Sequence, residues 1–317
     1  MHLLLLDSAS LYWRAYHALP DSIVGPAGQP VNAIRGFLDT LARLIEAREP
    51  DRVVACWDDD WRPQWRVDLV PGYKAHRLDT IDGSSTGAGD DAEVVPDTLA
   101  PQVPWIARLS VLLGIDVIGA PECEADDVIA ALARRHVRTG DTVDIASGDR
   151  DLVQLVDDRT TMLYTGGTSK SRGGRPWVAL DPEGVRERFL VAPEAYPLMA
   201  VLRGDPSDGL PGVRGIGAKT AVALVHAFPD VQALIDAAAQ PCLPPMTGRI
   251  AAAIVENEEV IKASMAITVL GDRPAVPDLP PRPSIEADQV REVGDDLGVV
   301  ASVDRVLAAW GHEPRGM

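Results

Sequence analysis

Short apolar runs that end on an acid set the rhythm of the first half of this chain. Leu3 to Leu6 stops at Asp7, and Arg52 to Trp57 stops at Asp58 and runs on into Asp59 and Asp60. Thr142 to Ala146 stops at Ser147-Gly148-Asp149, with Asp151 two residues further on. Between them come segments of helical period, about Leu11 to Ala18 and Val31 to Ala47. Apolar runs that are short, lack alternation and are separated by helical pattern predict a parallel sheet covered on both faces. The expected fold class is therefore α/β, a central mostly parallel sheet flanked by helices. In such sheets ligands bind beyond the carboxyl ends of the strands. Asp7, Asp58, Asp149 and Asp151 would all lie there.

The stretch Glu122 to Leu132, ECEADDVIAAL, opens a further helix with Glu124, Asp126 and Asp127 in or next to its first turn. Acids in a first helical turn ordinarily complement the dipole and cap free N–H groups, and an Asp after a strand is ordinarily a turn residue. Three strand ends and one helix start that all carry carboxylates on one edge favour a single acidic cluster instead. Such crowding is tolerated only where water, basic side chains or a cation neutralises it.

Between Trp61 and Trp105 the pattern changes. Arg62, Arg66, Lys74, His76 and Arg77 form a basic stretch with Trp65 and Tyr73 interleaved, which suits stacking on bases and contacting phosphates of a single strand. Asp79 to Asp97, rich in Gly, Ser, Thr and acid, reads as a surface loop, so the whole would be a cover over the acidic site. In the second half, GDPSDGLPGVRGIGAKTAVALV (204–225) places Asp205 and Asp208 around a turn, then Gly215-Ile216-Gly217 before a helix that starts near Ala218. Glycines admit close backbone approach, and N–H groups at a helix start can hold a phosphate. With Arg214 and Lys219 beside them, this looks like a helix-hairpin-helix grip on a duplex backbone that positions without reading sequence. Helical pattern follows from about Arg249 to Leu270. The Pro-rich stretch from Arg273 to Pro283 reads as extended, and two short helical patterns, near Ile285 to Leu297 and Ser302 to Trp310, close the chain as a tail packing back on the core. The division expected is a core 1–180 with the cover at about 61–105, a helical region 181–272 that holds the hairpin, and a Pro-rich and helical tail 273–317.

Composition alters this picture in three places. No apolar run approaches a membrane span, and the three cysteines, Cys56, Cys123 and Cys242, are too few and too scattered for a disulfide framework or a thiolate metal site. A cytoplasmic protein is the expectation. The candidate ligands are oxygen donors and the six histidines show no paired spacing, so Mg²⁺ or Mn²⁺ fits better than Zn²⁺. Several carboxylates can hold two ions about 4 Å apart, the arrangement used in phosphoester hydrolysis. The formal charge of −17 argues against a nucleic-acid partner, but less so if many acids belong to a metal site.

Six ordered blocks, LLLLDSASLYWRAYHALP, VVACWD, VPGYKAHR, ECEADDVIAALA, SGDRDLVQLV and GDPSDGLPGVRGIGAKTA, resemble the 5′-nucleases of the flap endonuclease family, in the form found at the N-terminus of bacterial DNA polymerase I. The resemblance runs to about residue 230 and implies a PIN-like 5′-nuclease fold with a catalytic core, an arch over the active site at about 61–105 and a helix-hairpin-helix DNA-binding region. It carries over metal carboxylates at Asp7, Asp58, Glu124, Asp126, Asp127, Asp149, Asp151, Asp205 and Asp208, and residues near the scissile phosphate at Arg14, Tyr73, Lys74 and Arg77. Within that set, Asp58, Glu124 and Asp126 would hold a first ion, with Asp7 acting directly or through water. Asp149, Asp151 and Asp208 would hold a second, with Asp126 or Asp127 bridging and Asp205 more remote. Tyr73 would stack on a base near the cleaved bond. The implied activity is 5′→3′ exonuclease and flap cleavage in DNA replication and repair, by a monomer free of any polymerase portion. Its partners would be DNA with a 5′ flap, nick or duplex end, with RNA primers as a further substrate, and K⁺ would bind hairpin carbonyls near Gly215 and Gly217. The sequence departs from the family at Ser8, where Gly is usual, at Gly209, where Asn is usual, and at Asp59 and Asp60, which add charge beside the site. Two rivals stand beside this reading: a protein that binds branched DNA without cutting it, and a phosphatase or single-strand ribonuclease with a similar acidic sheet edge.

Overall fold

Leu3, Leu4, Leu5 and Leu6 have no exposed surface at all, which is why their run shows no alternation. In the computed structural model, which describes residues 1–78, 94–167, 176–241, 244–273 and 275–312, they form the centre of a six-stranded sheet. Its strands are β1 (His2–Asp7), β2 (Arg52–Cys56), β3 (Asp116–Ile118), β4 (Thr142–Ser147), β5 (Thr160–Tyr164) and β6 (Val178–Leu180). The order is β3-β2-β1-β4-β5-β6, and only the β5–β6 pair is antiparallel. Leu3 and Leu5 join one core cluster with the helix Ala125–Arg138, while Leu4 and Leu6 join another with the helix Asn32–Arg48. The fold is thus a mostly parallel sheet covered by helices on both faces.

Register decides where the acids go. Asp7 pairs with Cys56 and Leu6 with Ala146, so Asp58 and Asp149 leave their strands at the same edge as Asp7. Three strands, β3, β5 and β6, escaped the apolar pattern. β3 and β6 are three residues each, too short to show a period, and Val178 and Ala179 on β6 are exposed. The continuous helical pattern from Arg249 to Leu270 is two helices, Gly248–Glu256 and Glu258–Thr268, divided at Asn257. The reason is local: the Asn257 side-chain amide donates to Ala253 O at 2.8 Å, ending the first helix on itself.

Of the cover between residues 61 and 105, the structure describes a short helix Gln64–Leu69, a tight turn at Ala75–Arg77 and the start of the helix Val103–Leu112. Most of the Asp79 to Asp97 loop lies outside the described residues. The hairpin region places the helices Tyr196–Arg203 and Ala218–Ala227 on either side of the glycine-rich turn. Near the C-terminus, Arg52 donates to Pro280 O at 2.6 Å and Arg135 to Val276 O at 2.7 Å, which fixes the Pro-rich segment against the core. The helices Ala287–Leu297 and Val300–Ala309 then bury Val290, Val303, Val306 and Leu307 in the cluster that holds Asn32–Arg48. Among the described residues no single helix is long and apolar enough to cross a membrane.

Candidate active site

Asp7 ends β1 and caps the helix that follows it. Its Oδ1 accepts the Ser10 N–H at 3.1 Å, and its Oδ2 accepts from Ser147 Oγ at 2.5 Å. The helix Ser8–Ala18 then turns Ser10, Trp13 and Arg14 onto one face, the spacing of one helical turn. From β2, Asp58 Oδ1 accepts the Ala125 N–H at 2.8 Å, which ties the strand end to the start of the helix Ala125–Arg138. Glu124 caps that helix and Asp126 lies in its first turn. After β4, Asp149 Oδ1 accepts the Asp151 N–H at 2.8 Å. Asp7, Asp58, Glu124, Asp126 and Asp149 line one cavity of about 420 Å³ with Trp13, Arg14, Trp61, Lys74, Arg77 and Arg150.

The electrostatics follow from this crowding. Burial, then the charges of Asp58 and Asp149, push the Asp7 carboxyl up to about 7. Burial and then Asp149, Asp7 and Glu124 raise Asp126 well above the usual carboxylate range. Asp151 is raised likewise by burial, then Asp149, Asp208 and Asp205. Burial pushes Asp208 up to about 6, with Asp149 and Glu124 adding and Lys74 and Arg77 opposing. Asp151 and Asp208 thus feel the same charges without lining the cavity wall. Among the described residues, no group of three or more His, Cys, Asp or Glu side chains is gathered tightly enough to hold an ion as it stands. The donor set nevertheless fits a hard divalent cation: every candidate is a carboxylate oxygen, and their mutual repulsion is what such a cation would relieve.

Some carboxylates are held by protein cations. The Lys74 ammonium donates to Glu124 Oε2, and Arg66 Nη1 lies 3.1 Å from Glu124 Oε1. Burial alone would lower Lys74, but Glu124, Asp208 and Asp58 raise it overall. Asp205 Oδ2 accepts from Arg150 at 3.0 Å and lies 3.5 Å from Arg203, a remote position beside Asp151 rather than on the cavity.

Three expectations are corrected. Asp127 does not face the acidic cavity: it is fully buried, accepts two bonds from Arg66 at 2.8 and 3.0 Å, and accepts the Glu124 N–H in a capping box. Ala125, Asp126 and Asp127 are consecutive on a helix, so successive side chains point about 100° apart and cannot all face one site. Tyr73 is not poised to stack on a base. It is 4% exposed, packs with Leu210 and Ile267, and donates its phenol proton to Glu124 Oε1 at 2.8 Å. Arg66, read as part of a phosphate-contacting stretch, is a 2% exposed partner of two acids. Sequence reasoning also missed Trp13, Trp61 and Arg150 on the cavity wall. The period of the first helix, which sets Trp13 three residues from Ser10 and beside Arg14, was a usable signal for the first of these.

Arg214, Gly215, Gly217 and Lys219 do not line the cavity; all four are exposed at the hairpin, with Gly215 at φ +90 and Gly217 capping the helix Ala218–Ala227. The hairpin loop reaches the arch through its other end. Lys74 N–H donates to Asp208 O at 3.0 Å, and Arg77 donates to Ser207 O at 2.8 Å.

Comparison with known proteins gives this arrangement a context. A model of the 5′-3′ exonuclease N-terminal resolvase-like domain matches residues 2–190, and one of the 5′-3′ exonuclease C-terminal SAM fold matches residues 191–278. A 5′-3′ exonuclease of Mycobacterium tuberculosis is 39% identical over 323 residues, covering 98% of this chain and 98% of its own length. One of Streptomyces coelicolor is 50% identical over 238 residues, covering 74% of this chain and 75% of its own. The solved structure of the bacteriophage T5 D15 flap endonuclease, in a pseudo-enzyme-product complex with DNA and metal ions, has the same fold, with a TM-score of 0.64 at 18% identity over 98% of this chain and 100% of that one. With both family models adjoining across most of its length and a full-length relative at this identity, the chain belongs to the 5′-3′ exonuclease family.

Proposed function

We propose that this chain is a divalent-metal-dependent 5′-nuclease that hydrolyses DNA phosphodiesters at 5′ flaps, nicks and duplex ends. The observation that carries the reading is the cavity itself, where acids from three strand ends and one helix start meet Arg14, Lys74 and Arg77. Asp7, Asp58, Glu124 and Asp126 would hold one Mg²⁺ or Mn²⁺ ion, and Asp149, Asp151 and Asp208 a second, with Asp205 supporting Arg150 and Arg203 beside them. Bound there, such ions supply an activated water and stabilise the leaving oxygen. The chain's own side chains bind and orient: Arg14, Lys74 and Arg77 would meet the scissile phosphate, and Trp13 and Trp61 offer rings on the wall where Tyr73 does not. The exposed turn from Arg214 to Lys219 would grip the duplex backbone, with a K⁺ ion at carbonyls near Gly215 and Gly217.

The test is cleavage of 5′-labelled flap, nicked and single-stranded DNA, and of the matching RNA, with Mg²⁺, Mn²⁺ or chelator. Asp126→Asn is expected to abolish cleavage while sparing duplex binding in Ca²⁺; Mg²⁺-dependent cleavage retained by that variant would refute the assignment. Product length separates flap cutting from stepwise exonuclease action, and the RNA arm decides whether primers are substrates.

A further inference from the structure

We infer that Arg273, beyond the helix Glu258–Thr268, is a positioning residue that sets the base of the arch and, through it, the carboxylate of Glu124. This inference rests on the nuclease reading above. The helix Glu258–Thr268 ends against the arch base: Ile267 O lies 3.4 Å from Arg66 Nε, and Ile267 packs with Tyr73 and Leu210. Five residues later Arg273 returns to the same place. Its Nε donates to Asp127 Oδ1 at 3.3 Å, and its guanidinium lies 3.9 Å from the centre of the Trp65 ring. Arg66 lies 4.6 Å from that ring, so two cations share one indole and one buried carboxylate.

The division of Arg66 makes this matter. Arg66 Nη1 is 2.8 Å from Asp127 Oδ2 and 3.1 Å from Glu124 Oε1, so one nitrogen serves both acids. Asp127 has no exposed surface and cannot turn to water for compensation. Arg273 supplies its second cation. Without it Asp127 keeps the Glu124 N–H but has Arg66 as its one cation, Arg66 withdraws from Glu124, and the Trp65 edge of the arch loses the nearer of its two cations. Glu124 then keeps Lys74 and Tyr73, both on the arch whose base has been loosened.

Mn²⁺ binding to the DNA-free protein, read by electron paramagnetic resonance, and hydrogen exchange of peptides spanning residues 62–74 test this. Arg273→Ala is expected to weaken Mn²⁺ binding about tenfold, as loss of partners behind metal ligands does, and to speed exchange at the arch base. Removal of a cation that acted only by its charge would instead tighten Mn²⁺ binding, so the sign of the change separates positioning from simple electrostatics. Arg138→Ala is the control. It removes the ion pair with Asp272 in the same segment without a contact to Arg273 or Asp127, and is expected to leave Mn²⁺ binding unchanged. Arg273→Met, which keeps a flexible side chain beside Trp65 but has no donor for Asp127, replaces the alanine variant if that one fails to fold, and must weaken binding in the same sense. Unchanged or tighter Mn²⁺ binding, or equal weakening by Arg138→Ala, would overturn the inference. Wild-type protein that cuts no flap DNA sinks the nuclease reading, whereas wild-type cutting with an Arg273→Ala protein that matches it in binding and exchange sinks only this one.

Discussion

At the residue scale the site is defined by carboxylates held where they would rather not be charged. Asp7 and Asp208 have folded values of about 7 and about 6, above the ordinary 3.8. A group whose folded value is raised contributes stability that is complete below its unfolded value and lost as pH rises through its folded one. In chelator, therefore, the melting temperature should fall as pH rises from about 5 to 8, and added Mg²⁺ should restore most of the loss. A melting temperature in chelator that is flat or rising over that range would mean the acids do not crowd as described. Tyr73 gives a second expectation. Tyr73→Phe keeps a ring but removes the donor to Glu124, so it should cost about 1.5 kcal/mol of stability in denaturant titration. A stacking residue would lose nothing on that substitution.

At the scale of elements, the contact between the hairpin loop and the arch is the junction on which the site depends. Gly209 has φ +73, and a Cβ there would stand 2.2 Å from Gly72 O on the arch base. The family's usual Asn has no room at this position in this chain. Gly209→Ala should cost about 3 kcal/mol by combining backbone strain with that clash, enough to shift the denaturation midpoint clearly. Gly215→Ala is the comparison: φ is +90 but nothing lies within 4 Å of its Cβ, so only the conformational cost of about 1 kcal/mol remains. Equal losses at the two glycines would show that the loop does not press on the arch. The pairing of Asp127 with Arg66 belongs to this scale too, since it joins the arch helix to the helix that carries Glu124 and Asp126.

At the scale of the whole molecule, the C-terminal helices close one face of the sheet layer rather than reach for the site. Leu307 has no exposed surface and sits in the cluster of Asn32–Arg48. Leu307→Ala should cost about 3 kcal/mol, read as a lower denaturation midpoint, with the cleavage rate unchanged wherever the protein stays folded. A fall in rate at full folding would tie the tail to catalysis. The same scale shows how much was legible beforehand. Apolar runs such as Leu3 to Leu6 announced the sheet because a strand buried on both faces must be apolar at every position. Asp7, Asp58 and Asp149 could be placed together because parallel strands all end on one side, a consequence of topology alone. The amino-acid order therefore determined β1, β2 and β4, the edge at which the acids gather and the helix that presents Glu124 and Asp126. Tertiary structure decided which charges face the cavity. Whether Asp127 meets a cavity or Arg66, and whether Tyr73 offers a ring or a proton, depends on the angular position of a helical turn and on Arg273, which comes from the far end of the chain. Local pattern carries no information about contacts between residues 51, 61 or 146 positions apart, and those contacts are what assign each charge its partner.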